Sequence, residues 1–340
     1  TVTGVDDSLD DGDITTTLTA TASNTGGYAG ETATTTVITT DNETAGITIA
    51  QTGSTDGSGN LLTTEAGSTS TFTVVLDAKP TADVTVSITG ADSTEHSLSA
   101  SSLTFTTSNW NTAQTITVTG VDDSLDDGDI TTTLTATASN TGGYAGTETT
   151  TTTLKTSDND TAGITIQQGA NTDGSGNLLT TEAGGSSTFS VVLDAKPTAN
   201  VTVSITGIDN TEHSLSSPSL TFTAANWNTP QTVTVSGVDD TTLDGDIITT
   251  LTAIASNTGG YAGETATTTV ITTDNETAGI TIAQTGTTDG SGNLLTTEAG
   301  STSTFSVVLD AKPTANVTVS ITGADSTEHS LSASSLTFTT

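Results

Sequence analysis

The sequence has no cysteine, arginine or methionine, and its 340 residues include only four lysines. The absence of cysteine excludes disulfides, thiolate zinc sites, iron–sulfur clusters and cysteine nucleophiles. Four scattered lysines cannot form a phosphate-binding surface, so the composition excludes nucleic acid as a partner and disfavours anionic membrane surfaces. No apolar run approaches the ~18 residues of a transmembrane helix, which argues against membrane insertion.

The charge is almost entirely of one sign. Asp and Glu number 39 against 4 Lys, so the formal net charge is −35, while hydrophobic residues are 31% and aromatic residues 3% of the chain. Low hydrophobicity combined with high net charge is typical of disordered proteins. Whether this chain folds therefore depends on how its residues are arranged.

The arrangement is a long tandem repeat. The motif TVTGVDD at residues 1–7 recurs at 117–123 and, as TVSGVDD, at 234–240, with offsets of 116 and 117 residues. Residues 24–53 and 257–286 are identical in sequence. A period this long corresponds to a whole domain rather than to one turn of a solenoid. The chain is therefore an array of near-identical domain copies.

Within a copy, apolar residues alternate with threonine and serine at a period of two. Val84, Val86 and Ile88 share one face of a predicted strand, and Ile116 and Val118 share one face of another. Thr, Val and Ile favour strands, and turn residues interrupt the pattern about every ten residues. A disordered segment has no reason to keep this alternation. The sequence predicts an all-β sandwich of roughly seven strands per copy, with a thin core.

The copies join at an acidic segment, TTDNETAGITI at residues 39–49, which ends one strand and precedes the next. If a domain starts at AGITI, complete domains span residues 45–161 and 162–277. Residues 1–44 are then the C-terminal strands of a preceding domain, and residues 278–340 the N-terminal strands of a following one. Two interpretations stay open: an excerpt of a longer array, or half-domains of neighbouring chains that complete each other in a head-to-tail fibre.

Acidic residues concentrate in one loop of each copy. They are Asp6, Asp7, Asp10, Asp11 and Asp13 in the first copy, Asp122, Asp123, Asp126, Asp127 and Asp129 in the second, and Asp239, Asp240, Asp244 and Asp246 in the third. Carboxylates 4 Å apart repel by about 1 kcal/mol per pair even in water. A cation removes this repulsion, and Ca²⁺ accepts many oxygen ligands, whereas Mg²⁺ requires octahedral geometry and retains its waters. A second acidic group, D-N-[DE], recurs at each junction and favours a Ca²⁺ site over a solvated acidic turn.

The segment DGSGN, at residues 56–60, 173–177 and 289–293, has Asp, Ser and Asn at alternate positions, as calcium loops do. It lacks the later bidentate Glu of an EF-hand at the right spacing. A hairpin turn is therefore the preferred interpretation of this segment.

The repeat contains, in chain order, the motifs TEAG, TFTVVL, VTVSI, EHSLSASSLTF, QTITVTGVDD, DGD and TTDN-[DE]-TAGI. With these motifs, which extend over essentially the whole repeat, the sequence resembles the Calx-β domain, an immunoglobulin-like sandwich, in the form found in giant bacterial surface and adhesion proteins. The resemblance implies a tandem array of seven-stranded sandwiches with a Ca²⁺ cluster at one tip of each, where a domain meets its neighbour.

The resemblance also implies the ligands. They are Glu65, Asp122, Asp123, Asp158 and Asp160 in the first complete domain, and Glu182, Asp239, Asp240, Asp274 and Glu276 in the second. Glu95 and Glu212 stand where family members often have Asp, and they are further candidate ligands. In the partial copies, the residues at positions equivalent to the ligands just named are Asp6, Asp7, Asp41, Glu43 and Glu298. Asp126, Asp127, Asp129, Asp244 and Asp246 either ligate or extend the negative surface. Asn159 and Asn275 occupy the middle of a triplet that is often fully acidic, so they lower the charge of the ligand set.

These observations favour a non-enzymatic, structural or adhesive extracellular repeat: a secreted, cell-surface stalk of bacterial type that Ca²⁺ stiffens at domain tips and junctions. The alternative is a self-assembling filament, sheath or surface-layer subunit. An enzyme is disfavoured because no nucleophile–base constellation is present. The expected partners are neighbouring repeats or identical chains joined head-to-tail, with surface glycans or other cells contacted through regions outside these residues.

Overall fold

The structure, a computed structural model, describes residues 1–340 and consists of β-strands joined by loops and turns. It has no helix that is long and apolar enough to cross a membrane. Two compact units divide the chain, Thr1–Asp160 and Thr161–Thr340. Each unit contains one closed sandwich and one partial copy of the repeat.

The strands follow the repeat. Residues 1–44 hold β1 (Ile14–Thr21) and β2 (Thr32–Thr39). The first complete copy holds β3 (Ile47–Gln51), β4 (Leu61–Thr64), β5 (Thr69–Leu76), β6 (Val84–Thr89), β7 (His96–Leu98), β8 (Ser102–Phe105), β9 (Gln114–Gly120), β10 (Ile130–Ala138) and β11 (Thr149–Ser157). The second holds β12 (Ile164–Gln168), β13 (Leu178–Thr181), β14 (Ser186–Leu193), β15 (Val201–Thr206), β16 (His213–Leu215), β17 (Ser219–Phe222), β18 (Gln231–Gly237), β19 (Thr242–Leu243), β20 (Ile247–Ala255) and β21 (Thr265–Thr273). The last residues hold β22 (Ile280–Gln284), β23 (Phe305–Leu309), β24 (Lys312–Pro313), β25 (Val317–Ser320) and β26 (Ser335–Phe338).

Each complete copy is a sandwich of two sheets. In the first copy the strand orders are β3-β5-β9-β7 and β4-β11-β10-β6-β8, and the second copy repeats them as β12-β14-β18-β16 and β13-β21-β20-β15-β17. The predicted tandem array of all-β sandwiches is confirmed. Each sandwich has nine strands rather than the predicted seven. The two strands that the sequence pattern does not indicate are β4 and β7, which are only four and three residues long. Such short segments cannot display the alternation by which a strand is recognised.

The core lies between the two sheets and follows the alternation of the sequence. In β5, Phe72, Val74 and Leu76 point inward and are at most 2% exposed. Thr73 and Val75 lie between them on the outer face. Burying a side chain of this size stabilises the fold by about 1.5–3 kcal/mol. The core of the second copy is built from the equivalent residues, including Phe189, Val191, Leu193 and Phe222.

The acidic residues and the strands are segregated. None of the 39 Asp and Glu residues lies in a strand, and the outward strand positions carry mostly Thr and Ser. All the negative charges of the side chains are therefore confined to loops and turns, where the strands end.

The pairing of β4 with β11 decides where two of these loops meet. The two strands are parallel, with Thr64 opposite Ser157. Because parallel strands end at the same edge of a sheet, Glu65 and Asp158 emerge side by side. The Glu65 amide donates a hydrogen bond to the Ser157 carbonyl at 3.1 Å. In the second copy, the parallel pairing of β13 with β21 does the same for the residues that follow Thr181 and Thr273.

Candidate metal centre

A second pair of strands brings the acidic loop to the same end of the sandwich. β7 runs antiparallel to β9 with His96 opposite Gly120, so Glu95, just before β7, lies beside Val121. The Val121 amide donates to the Glu95 carbonyl at 2.8 Å. The aspartates that begin at Asp122 therefore start next to Glu95.

Two clusters of carboxylates form at this end of the first complete copy. Glu65, Asp122 and Asp160 offer oxygens within 4.8 Å of one another, and Glu65, Glu95 and Asp127 form a second group of the same size. Glu65 belongs to both, so the two candidate sites are adjacent. The second copy has a matching second cluster, Glu182, Glu212 and Asp244. Its first cluster is Glu182, Asp240 and Glu276, in which Asp240, the counterpart of Asp123, takes the place of the counterpart of Asp122.

Two buried carboxylates of these clusters, Glu95 and Glu212, each have an oxygen without a hydrogen-bond partner. Glu65 is 1% and Glu95 4% exposed, and the Oε2 atom of Glu95 has no hydrogen-bond partner. The same holds for Oε2 of Glu212, which is also 4% exposed. A buried unpaired carboxylate oxygen is costly, and native structures provide such groups with a partner or a cation. The donor set, which consists of carboxylate oxygens, suits a hard cation such as Ca²⁺.

The pKa values of the clustered carboxyls show how unfavourable their charges are without a cation. Burial raises the pKa of Glu65 to about 7, and the nearby carboxylates of Asp158 and Asp123 act in the same direction. Burial also raises the pKa of Glu276 to about 7, supported by its hydrogen bond with Glu182. Burial, with neighbouring carboxylates as a further cause, raises the pKa of Glu95, Asp127, Asp160, Glu212 and Asp244. Protons therefore compete with a cation for these oxygens.

Asn159 connects the junction segment to both sides of one cluster. Its backbone amide donates to Glu65 Oε2 at 3.2 Å, and its side-chain Nδ2 donates to Asp122 Oδ1 at 3.0 Å. Asn275 makes the equivalent contacts with Glu182 and Asp239 at 3.4 and 3.0 Å. The asparagine thus supplies donors within a group of acceptors.

Other predicted ligands lie outside these clusters and make other contacts. Asp158 accepts hydrogen bonds from the amides of Gly128 and Asp160, both at 2.7 Å, and so shapes the loop. Asp129 forms a salt bridge with Lys155 at 2.7 Å. No cluster of three carboxylates includes Asp123, Asp126, Asp129, Asp158, Asp239, Asp246, Asp274, Glu298 or the four positions in residues 1–44, Asp6, Asp7, Asp41 and Glu43. In the partial copy, Asp41 instead accepts from the amides of Gly12 and Glu43.

The DGSGN segment forms a turn. Asp56 Oδ1 accepts from the amides of Ser58 and Asn60 at 2.9 and 2.8 Å, and Oδ2 accepts from Asn60 Nδ2 at 2.8 Å. The side chain thus closes the loop upon itself, as an Asx turn does. The equivalent hydrogen bonds recur at Asp173 and Asp289.

Sequence reasoning missed one role of the acidic loop. Asp10 Oδ2 accepts a hydrogen bond from the Ala45 amide at 2.6 Å, so this carboxylate holds the start of the next copy rather than joining a cluster. No sequence signal distinguishes it from its acidic neighbours, because its partner is a backbone amide 35 residues away.

No protein-family model and no curated protein matches the chain. Among solved structures, it is similar to the calcium binding domain CBD12 of CALX1.1, with 16% identity over 58% of this chain and 78% of that chain and a TM-score of 0.25. The D00-D0 domain of intimin matches at 17% identity over 67% of this chain and all of that chain, with a TM-score of 0.24. The protocadherin gammaB7 EC3-6 structure matches at 15% identity over 93% of this chain and 71% of that chain, with a TM-score of 0.33. The sequence identities and TM-scores of these matches are too low to carry an argument about function.

Proposed function

We propose that this chain is a non-enzymatic, extracellular stalk or fibre segment built from Calx-β-like domains, which Ca²⁺ stiffens at their tips. The proposed complete domains are residues 45–161 and 162–277. The observation that carries the proposal is the unpartnered, buried carboxylate oxygen of Glu95, and of Glu212 in the next copy, within a carboxylate cluster. Its recurrence in both copies argues for a site that the repeat retains.

The residues fit a cation in number and in kind. The two clusters of the first copy together offer Glu65, Glu95, Asp122, Asp127 and Asp160, and every donor is a carboxylate oxygen. Ca²⁺ takes six to eight oxygen ligands in flexible geometry, and a carboxylate can bind through one or two oxygens. These five carboxylates hold ten oxygens, so two adjacent sites that share Glu65 would each be completed by backbone or water oxygens.

The position of the clusters connects ion binding to the junction between copies. Glu65 follows β4, Asp122 follows β9, and Asp160 lies in the segment that leads from β11 to β12. A cation held by all three would tie the junction segment to the tip of the domain. Without the cation, repulsion among the carboxylates favours a looser tip and a more flexible junction. This coupling is the basis of the proposed stiffening.

The size of the effect follows from mass action. At a free Ca²⁺ concentration of 100 times its dissociation constant, one site adds about 2.7 kcal/mol of stability. That is a substantial share of the total stability of a domain, which is about 5–15 kcal/mol.

Thermal unfolding with Ca²⁺ and with chelator, combined with small-angle scattering, tests the proposal. We expect Ca²⁺ to raise the unfolding temperature and to increase the maximum dimension of the chain. Glu95→Gln combined with Glu212→Gln should reduce both effects, and Mg²⁺ in parallel tests the choice of ion. The proposal is wrong if Ca²⁺ changes neither the unfolding temperature nor the scattering.

A further inference from the structure

The acidic loop of one copy pairs with a turn at the base of the following copy, which is the end opposite the acidic loop of that copy. We call this contact a joint, and each of the two units contains one. In the first unit, the Lys79 amide donates to the Ser8 carbonyl at 2.7 Å, and Leu9 forms a parallel bridge with Lys79. In the second unit, the Lys312 amide donates to the Thr241 carbonyl, also at 2.7 Å. There β19 pairs in parallel with β24.

The two joints differ at the next position of the loop. In the first, Asp10 is half-buried and its Oδ2 accepts from the Ala45 amide at 2.6 Å. The equivalent residue in the second joint is Leu243, which lies 233 positions later, as Ala278 does relative to Ala45. Leu243 lines an apolar cavity with Ala278 and other residues, including Ile280, Leu309 and Pro313. One joint therefore has a carboxylate hydrogen-bonded to the following copy, and the other has an apolar side chain beside an apolar cavity.

The chemistry of each fastening suits its surroundings. A carboxylate that accepts from a backbone amide forms a short, charge-assisted hydrogen bond, about twice as strong as a neutral one. A leucine at the same place cannot accept a hydrogen bond, and it gains instead by removing apolar surface of the base from water. The repeat keeps Asp at this position in the second loop, as Asp126, so Leu243 is the departure from the pattern.

We propose that this loop position, occupied by Asp10 or Leu243, determines how firmly each copy attaches to the base of the copy that follows it. The interaction surface is the loop together with the Asp77–Pro80 turn or its counterpart, and the partner is the next repeat in the same chain. The inference concerns the metal-free protein and does not depend on the proposed Ca²⁺ sites.

The four lysines make the joints directly observable. Labelling with ¹⁵N-lysine gives four backbone amide signals, from Lys79, Lys155, Lys196 and Lys312. Lys79 and Lys312 donate the hydrogen bonds of the two joints. Lys155 lies within β11, between β10 and β4, and reports the stability of the sandwich itself. Hydrogen exchange in chelator-containing buffer then measures each joint against an internal control.

Asp10→Ala should lower the exchange protection of Lys79 about tenfold and leave Lys155 and Lys312 unchanged, as loss of one charge-assisted hydrogen bond predicts. Asp10→Asn, which keeps an acceptor without the charge, should lower it less. Leu243→Ala should lower the protection of Lys312 alone. The inference is overturned if Lys79 is unaffected by Asp10→Ala, or if Lys155 loses as much protection as the joint lysines.

Discussion

The side-chain amide of Asn159 donates a hydrogen bond to Asp122 at 3.0 Å, and Asn275 donates to Asp239 at the same distance. Each asparagine sits in the middle of an acidic triplet and places a donor among acceptors. In the metal-free protein this contact relieves part of the repulsion at the domain tip. If the site binds a cation, as we propose, the same residue gives the ligand set one negative charge fewer than an aspartate would.

Asn159→Asp should therefore have opposite effects with and without metal. We expect a lower unfolding temperature in chelator, because the new carboxylate faces Asp122 and Glu65, and a larger increase on addition of Ca²⁺. Unfolding followed by circular dichroism in both buffers measures the two changes. Asn111→Asp, at an exposed loop position, is the matched control for charge alone. A similar response from the two variants would contradict the assigned role of Asn159.

Glu65→Gln should remove the ligand that the two clusters of the first copy share. In metal-free buffer the substitution should stabilise the protein slightly, because it eliminates a buried carboxylate near other carboxylates. In Ca²⁺ most of the stabilisation of that domain, about 2.7 kcal/mol per site at 100 times the dissociation constant, should be lost.

Calorimetric titration gives the corresponding stoichiometry. The number of bound ions should fall by the contribution of one domain for Glu65→Gln and by that of both when Glu182→Gln is added. Glu31→Gln removes an exposed charge outside the clusters and should change nothing. Unchanged stoichiometry in Glu65→Gln would show that the cluster does not bind the ion.

Bound metal should change the way in which the stability of the protein depends on pH. Glu65 has a pKa raised from its ordinary 4.5 to about 7, so the folded state binds its proton more tightly than the unfolded state does. Its contribution to stability is fully present below pH 4.5 and is lost as the pH rises through 7. Metal-free protein should therefore unfold at progressively lower temperature between pH 5 and pH 8. Saturating Ca²⁺, which binds the ionised carboxylates, should remove or reverse this trend.

Tyr144→Phe should destabilise the first complete domain by about 1 kcal/mol, through loss of the hydroxyl that donates to the Ala78 carbonyl at 2.8 Å. Tyr261→Phe should have a comparable effect on the second domain, since its hydroxyl accepts from the Ala195 amide at 3.0 Å. Tyr28→Phe provides the control, because Tyr28 is 63% exposed. Chemical denaturation measures all three. Equal effects from the buried and exposed tyrosines would contradict the assigned hydrogen bonds.

The sandwich could be predicted from the sequence because its strands carry a strict two-residue alternation. Phe72, Val74 and Leu76 are buried where the pattern places them. The strands β4 and β7 are too short to show such a pattern, yet their pairing with β11 and β9 positions Glu65 and Glu95. Local periodicity thus indicated the fold, whereas the tip depends on contacts between residues far apart in sequence.

The candidate ligands could be named from the sequence, but the contacts that each of them makes could not be predicted. Asp127 lies in a cluster, whereas Asp129 pairs with Lys155 and Asp158 accepts backbone amides. All three are aspartates near one another in a polar context, and only the path of the loop separates their roles. Asp10 shows the same limit, because its partner is a backbone amide that any residue could supply.

The joint between copies has a consequence for how such a chain can change its length. Every complete copy carries the acidic loop at one end and the receiving turn at the other, so the two halves of the joint are inherited together. Recombination between identical stretches, such as residues 24–53 and 257–286, would add or delete whole periods, and every added copy would bring both its loop and its turn. These stretches are offset by 233 residues, which is two periods, so the length of the array could change by two whole domains at a time without the need for a new interface.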